Sequence, residues 1–153
     1  MKYDAILFDL DGTLIDTAAD FVITVKRLCE MHKVTPPSDE DIRNNVSNGA
    51  GALVKLSLGT RKGDAQFEER RQQLLDIYEE ELGKYAPIFP ELQSTLNKLQ
   101  SEQLPWAIIT NKPRKYTELL LERIGLDCPV VLCPCDLNKA KPDPEGILLA
   151  CKK

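Results

Sequence analysis

The chain has 153 residues, of which 42% are hydrophobic and 29% charged, a globular composition rather than a disordered or collagen-like one. Lys plus Arg number 20 against 24 Asp plus Glu, a net charge of −4, which argues against a general nucleic-acid binder because such proteins carry a basic excess. The apolar runs are too short to span a membrane, and the acid in Met1-Lys2-Tyr3-Asp4 comes too early for a signal peptide.

In chain order, Ala5–Phe8 is a short apolar run closed by the turn signal Asp9-Leu10-Asp11-Gly12-Thr13. A run of this kind predicts a buried strand of a parallel sheet. The stretch from Asp16 to Lys84 predicts helices only. Thr17–Lys33 carries Phe21, Val25, Leu28 and Cys29 at helical spacing, and Ser38-Asp39-Glu40-Asp41 resembles a capping box ahead of Ile42 and Val46. Ala50–Leu58 and Ala65–Gly83 are two further helices. After Pro90, Glu91–Gln103 repeats Leu92, Leu96 and Leu99 on one face. Strands Trp106–Ile109 and Val130–Leu132 flank helix Arg114–Ile124, which Gly125 stops. A final helix spans Glu145–Lys152.

This order predicts an α/β protein with a Rossmann-like parallel core of about three strands and an inserted all-helical segment. The boundaries are core at 1–15, helical insert at 16–84, and core again at 85–153. An insert above the strand ends can act as a lid.

The five cysteines are an odd number at irregular spacing and read as free thiols in a reducing cytoplasm. Cys133-Pro134-Cys135 has no second Cys or His pair to complete a metal site and reads as a loop. His32 is the one histidine. It falls in a helical segment, so Ser-His-Asp and Cys-His hydrolase chemistry has no base.

Ligands of open parallel sheets bind beyond the carboxyl ends of the strands, so the polar residues there carry the chemistry. Asp9 and Asp11, two apart past a buried strand, can both face the crevice, and Gly12 lets the backbone turn closely there. One acid can act as nucleophile while the other trades a proton. An EF-hand calcium loop fails, because its required Gly and Glu positions hold Leu14 and Asp20. Thr110-Asn111-Lys112, with the helix N-terminus that follows, makes a phosphate-shaped hydrogen-bonding site. Lys112, Arg114 and Lys115 add positive charge. Lys141, in the proline-flanked loop Lys139–Pro144, can neutralise phosphate in the same crevice. Each element alone also reads as an ordinary turn, cap or solvated cluster. The combination, each at a strand end and in this order, is specific.

Phe8–Leu14 with Asp16-Thr17 resembles the first motif of the haloacid dehalogenase superfamily, Ile108–Pro113 its second, and Lys141-Pro142-Asp143-Pro144 its third. The resemblance covers the chain and is closest to the phosphoglycolate phosphatase-like branch, with Trp106–Pro113 and Leu132–Lys152 similar to bacterial N-acetylmuramic acid 6-phosphate phosphatases. It implies a Mg²⁺-dependent phosphomonoesterase of a small phosphorylated metabolite. Asp9 is then the nucleophile and Asp11 the acid and base. Thr110 binds phosphoryl oxygens beside Asn111, Lys112, Gly12 and Thr13, and Lys141 stabilises charge. The resemblance further implies Mg²⁺ held by the Asp9 carboxylate and the Asp11 backbone carbonyl, and cap residues Asn48 and Gly49 facing the leaving group. An acid at Asp11 argues against a dehalogenase. A phosphomutase keeps both acids but needs a sugar-phosphate cap signature that is not identified here.

The family's fourth motif, Gly-Asp followed by a further Asp, has no counterpart before Lys153. The expectation is therefore a fragment or a truncated product, with weakened Mg²⁺ binding and an uncovered first strand prone to aggregation. The alternative of another class is a non-catalytic remnant that binds phosphate or a partner.

Overall fold

The computed structural model describes Tyr3–Lys153, so the first two residues of the predicted core segment lie outside the described residues. Among the described residues the elements are β1 (Ile6–Phe8), α1 (Ala18–Met31), α2 (Asp39–Asn45), α3 (Ala50–Leu58), α4 (Phe67–Glu81), α5 (Pro90–Ser101), β2 (Trp106–Ile109), α6 (Arg114–Ile124), β3 (Val131–Leu132) and α7 (Glu145–Ala150). They form two compact units. One joins the residues up to Asp16 with Pro87–Lys153, and the other is Thr17–Ala86.

The first unit is the sheet unit. Its three strands are parallel in the order β1-β2-β3, with Leu7 beside Ala107 and Ile109 beside Leu132. Phe8, Ala107, Ile108, Ile109 and Leu132 are buried, which fits the uninterrupted hydrophobic runs. Phe8 packs edge-on against Trp106, ring centres 6.0 Å apart. Ala5 and Val130 fall outside the strands, so two predicted strands are each one residue too long. Val130 still takes part in the pairing, because its carbonyl accepts the Ile108 N–H at 2.9 Å.

Helix ends follow local backbone chemistry. Pro90 opens α5, where a missing N–H costs nothing, and Gly125 closes α6 in the left-handed region (φ 67°). Four helices stop earlier than their periodicity predicts, α4 among them at Glu81 rather than Gly83. Lys33 (φ 55°) follows α1 and Gln103 (φ 52°) follows α5, and neither conformation can continue a right-handed helix. α7 ends at Ala150.

The second unit packs α1 to α4 around Val25, Leu28, Ile42, Leu53, Val54 and Leu74, all fully buried. Phe21 stacks on Tyr78 at 4.0 Å. Ser38 caps α2 by accepting the Asp41 N–H (3.1 Å). The Asp41 carboxylate accepts the Ser38 hydroxyl (2.6 Å) instead of reaching for its backbone, so the predicted box is only half formed. His32 caps the end of α1 and pairs through its ring with the Gln73 side chain (2.7 Å). Among the described residues no helix is long and apolar enough to cross a membrane.

Candidate active site

The sheet unit gathers its polar strand ends into one place. Leu10, Leu14 and Ile15 are fully buried and anchor the loop after β1. The Leu10 carbonyl accepts the N–H groups of Leu14 (3.0 Å) and Ile15 (3.1 Å), and the Gly12 N–H donates to Ile15 (2.9 Å). Gly12 sits at φ 71°, a conformation that a side chain strains. With the apolar residues inward, Asp9, Gly12 and Thr13 are turned to solvent and Asp11 is half-buried.

Asp9 and Lys141 meet across the sheet. Lys141 Nζ donates to Asp9 Oδ1 at 2.6 Å and to the Ile109 carbonyl at the end of β2 at 2.8 Å. The Leu10 N–H donates to the same Oδ1 at 2.7 Å. Among the described residues, no group donates to Asp9 Oδ2. One carboxylate oxygen is thus held and neutralised, while the other is open.

Asp11 is held by the segment after β2. Lys112 Nζ lies 2.8 Å from Asp11 Oδ1, and the Thr110 hydroxyl lies 3.5 Å from Oδ2. The Thr110 hydroxyl also accepts the Lys112 N–H (3.0 Å). Asn111 has a different task. Its amide donates to the Lys141 carbonyl (3.0 Å) and accepts the Lys141 N–H (3.1 Å), which ties the third strand-end loop to the second.

The Lys141 loop has supports that sequence reasoning missed. Glu145, first residue of α7, accepts the backbone N–H groups of Asn138 (3.0 Å) and Lys139 (2.9 Å) and the Asn138 side chain (2.9 Å). The Asn138 N–H is the main cause holding the Glu145 carboxyl below its ordinary range. Gly146 is where α7 meets β2: a Cβ there would stand 2.9 Å from Ile109 Cγ2 and 3.2 Å from Leu137. A Gly just inside a helix after Pro-Asp-Pro was the available signal for such a close approach.

Beside β3, Asp136 accepts the Cys133 N–H (2.7 Å) and pairs with Arg114. The Cys133 N–H is the main cause lowering the Asp136 carboxyl, with Arg114 adding to it. Arg114 is thereby committed to Glu118 (2.9 Å) and Asp136. Burial raises the Cys133 thiol above its ordinary value. Asn48 and Gly49 belong to the helical unit, where Asn48 is exposed beside Asn45 and Gly49 (φ 82°) precedes α3.

Among the described residues no three His, Cys, Asp or Glu side chains converge on a metal position. The hard oxygen donors at the strand ends are the Asp9 carboxylate and the Asp11 backbone carbonyl, the Asp11 carboxylate being engaged by Lys112 and Thr110. That set suits Mg²⁺, which takes one or two carboxylates and completes its shell with water and phosphate oxygens.

Residues 6–153 match the family model described as haloacid dehalogenase-like hydrolase. An N-acetylmuramic acid 6-phosphate phosphatase of Pseudomonas aeruginosa is 34% identical over 155 residues, covering all of this chain and 69% of that protein. A phosphoglycolate phosphatase of Xanthomonas campestris is 32% identical over 148 residues, covering 95% of this chain and 66% of that protein. Among solved structures, a HAD-superfamily hydrolase of subfamily IA, variant 1, from Geobacter sulfurreducens aligns with a TM-score of 0.80 over 97% of this chain and 71% of that one. At 19% identity that likeness bears on the fold.

Proposed function

Because the chain belongs to the haloacid dehalogenase-like hydrolase family, and its relatives there include named phosphatases, we propose that it hydrolyses a phosphate monoester of a small metabolite through an aspartyl-phosphate on Asp9. The observation that carries this reading is the asymmetry of the Asp9 carboxylate. Lys141 and the Leu10 N–H occupy Oδ1, and Oδ2 is left to attack.

In the first step Asp9 Oδ2 bonds to phosphorus and the ester P–O bond breaks. Asp11 gives its proton to the departing oxygen. In the second step water attacks the phosphorus, loses a proton to Asp11, and the P–O bond to Asp9 breaks, releasing phosphate and restoring both acids. The Lys141 ammonium lies where negative charge builds up, and a positioned cation in a half-buried site lowers that barrier. Thr110 offers its hydroxyl to phosphoryl oxygens. Mg²⁺ held by the Asp9 carboxylate and the Asp11 backbone carbonyl would screen the phosphate anion from the anionic nucleophile.

The test is turnover of p-nitrophenyl phosphate by this chain with Mg²⁺, followed by phosphoglycolate and N-acetylmuramic acid 6-phosphate, the substrates named for its relatives. Turnover abolished by Asp9→Asn supports the reading. A folded chain that binds phosphate without turnover contradicts it and favours a phosphate-binding protein.

A further inference from the structure

Lys112 does not do what a phosphate-binding lysine does. Its side chain is only 6% exposed, and lysine is almost never buried so far unless its charge is paired. Asp11 Oδ1 is a partner of its ammonium, at 2.8 Å.

The backbone fixes this aim. The Lys112 N–H donates to the Thr110 hydroxyl (3.0 Å), and its carbonyl accepts the Thr117 hydroxyl from α6 (3.3 Å). Pro113 follows and restricts its dihedrals further. Lys141 contrasts with it, being tethered to Asp9 at the open side of the site, with its side chain 26% exposed.

We propose that Lys112 is a positioning residue for Asp11: its ammonium holds Oδ1, so that Oδ2 is the oxygen that exchanges a proton with the leaving oxygen. This inference rests on the phosphomonoesterase reading. Lys112 makes no contact with substrate in this scheme and acts through Asp11.

Leaving-group chemistry separates this role from phosphate binding and from scaffolding. An alkyl oxygen departs only with a proton, so it depends on Asp11. A p-nitrophenyl oxygen departs as the stable anion and does not. The quantity to compare is kcat/KM, which covers the steps up to ester cleavage and leaves out hydrolysis of the aspartyl-phosphate.

The experiment measures kcat/KM for an alkyl phosphate and for p-nitrophenyl phosphate with the unaltered chain, Lys112→Met and Lys112→Arg. The proposal expects Lys112→Met to lose about 100-fold on the alkyl ester and less than about 3-fold on the aryl ester, in line with the usual size of general acid catalysis. Lys112→Arg restores part of the alkyl activity. Equal losses on both esters, no loss, or a gain on the alkyl ester overturn it. If Lys112→Met does not fold, as judged by circular dichroism, Lys112→Gln carries the same comparison. Inactivity of the unaltered chain on both esters instead overturns the phosphomonoesterase reading, and this proposal with it.

Discussion

Asn111 and Lys141 hold each other by two hydrogen bonds across 30 residues of sequence, the Asn111 amide donating to the Lys141 carbonyl and accepting its N–H. The side chain of one strand-end loop thereby sets the backbone of another, and with it the place of the Lys141 ammonium beside Asp9.

Asn111→Ala removes both bonds without removing any charged group, and frees the Lys141 loop to shift. Misplacing a charge by about 1 Å costs on the order of 10²-fold in rate, so kcat/KM on p-nitrophenyl phosphate is expected to fall by roughly 10- to 100-fold. Thermal unfolding should shift little, because Asn111 is exposed. Steady-state kinetics beside a melting curve checks both halves.

Gly146→Ala puts a methyl group 2.9 Å from Ile109 Cγ2. Ile109 is buried and β-branched, so it yields poorly, and α7 must move instead. The expected cost is about 1–3 kcal/mol of stability, the usual range for overpacking, with loss of activity because Glu145 and the Lys141 loop move with the helix. Chemical denaturation measures the first effect and turnover the second.

Asp20 is fully buried and accepts the N–H groups of Gly83 (2.6 Å) and Tyr85 (2.9 Å). It joins the first turn of α1 to the segment that follows α4. Asp20→Ala leaves those donors without their acceptor and should cost roughly 2–4 kcal/mol, read as a lower denaturant midpoint. An unchanged midpoint would mean that solvent replaces the carboxylate fully.

Acid stability should depend on Asp136. Its carboxyl is lowered in the folded chain by the Cys133 N–H and by Arg114. A depressed folded value gives stability that is complete above the unfolded value, about 4 for Asp, and is lost as pH falls through the lower folded value. Asp136→Asn is therefore expected to be less stable than the parent at pH 7, by no more than about 1 kcal/mol given solvent screening. The gap should close as pH drops below about 4. Urea denaturation at several pH values follows it.

Much of the sheet unit was legible because its signals are local. Uninterrupted apolar runs marked β1, β2 and β3, and Pro90 and Gly125 marked helix ends through their backbone constraints. The strand-end rule also brings together Asp9, Asp11, Thr110 and Lys141, which the side-chain contacts Lys141–Asp9 and Thr110–Asp11 match. What stayed hidden depends on where long or bifunctional side chains point. Lys112 read as one of several cations near a phosphate, and nothing in Thr110-Asn111-Lys112 shows that its ammonium folds back onto Asp11. Asn111 read as a ligand contact, yet its amide serves the Lys141 backbone. Glu145 read as a helix start, and its hold on Asn138 and Lys139 reaches back against the chain direction, which no periodicity encodes.

The central claim is that Asp9 carries the phosphoryl group. Asp11→Asn should let that group accumulate from p-nitrophenyl phosphate, since the leaving oxygen needs no proton while hydrolysis loses its base. The measurement is acid quench of this variant during turnover, followed by peptide mass spectrometry. The account predicts a base-labile phosphoryl group on the peptide containing Asp9, absent when Asp9→Asn is added. Phosphoryl on any other residue, or turnover that persists in the Asp9→Asn chain, would contradict it.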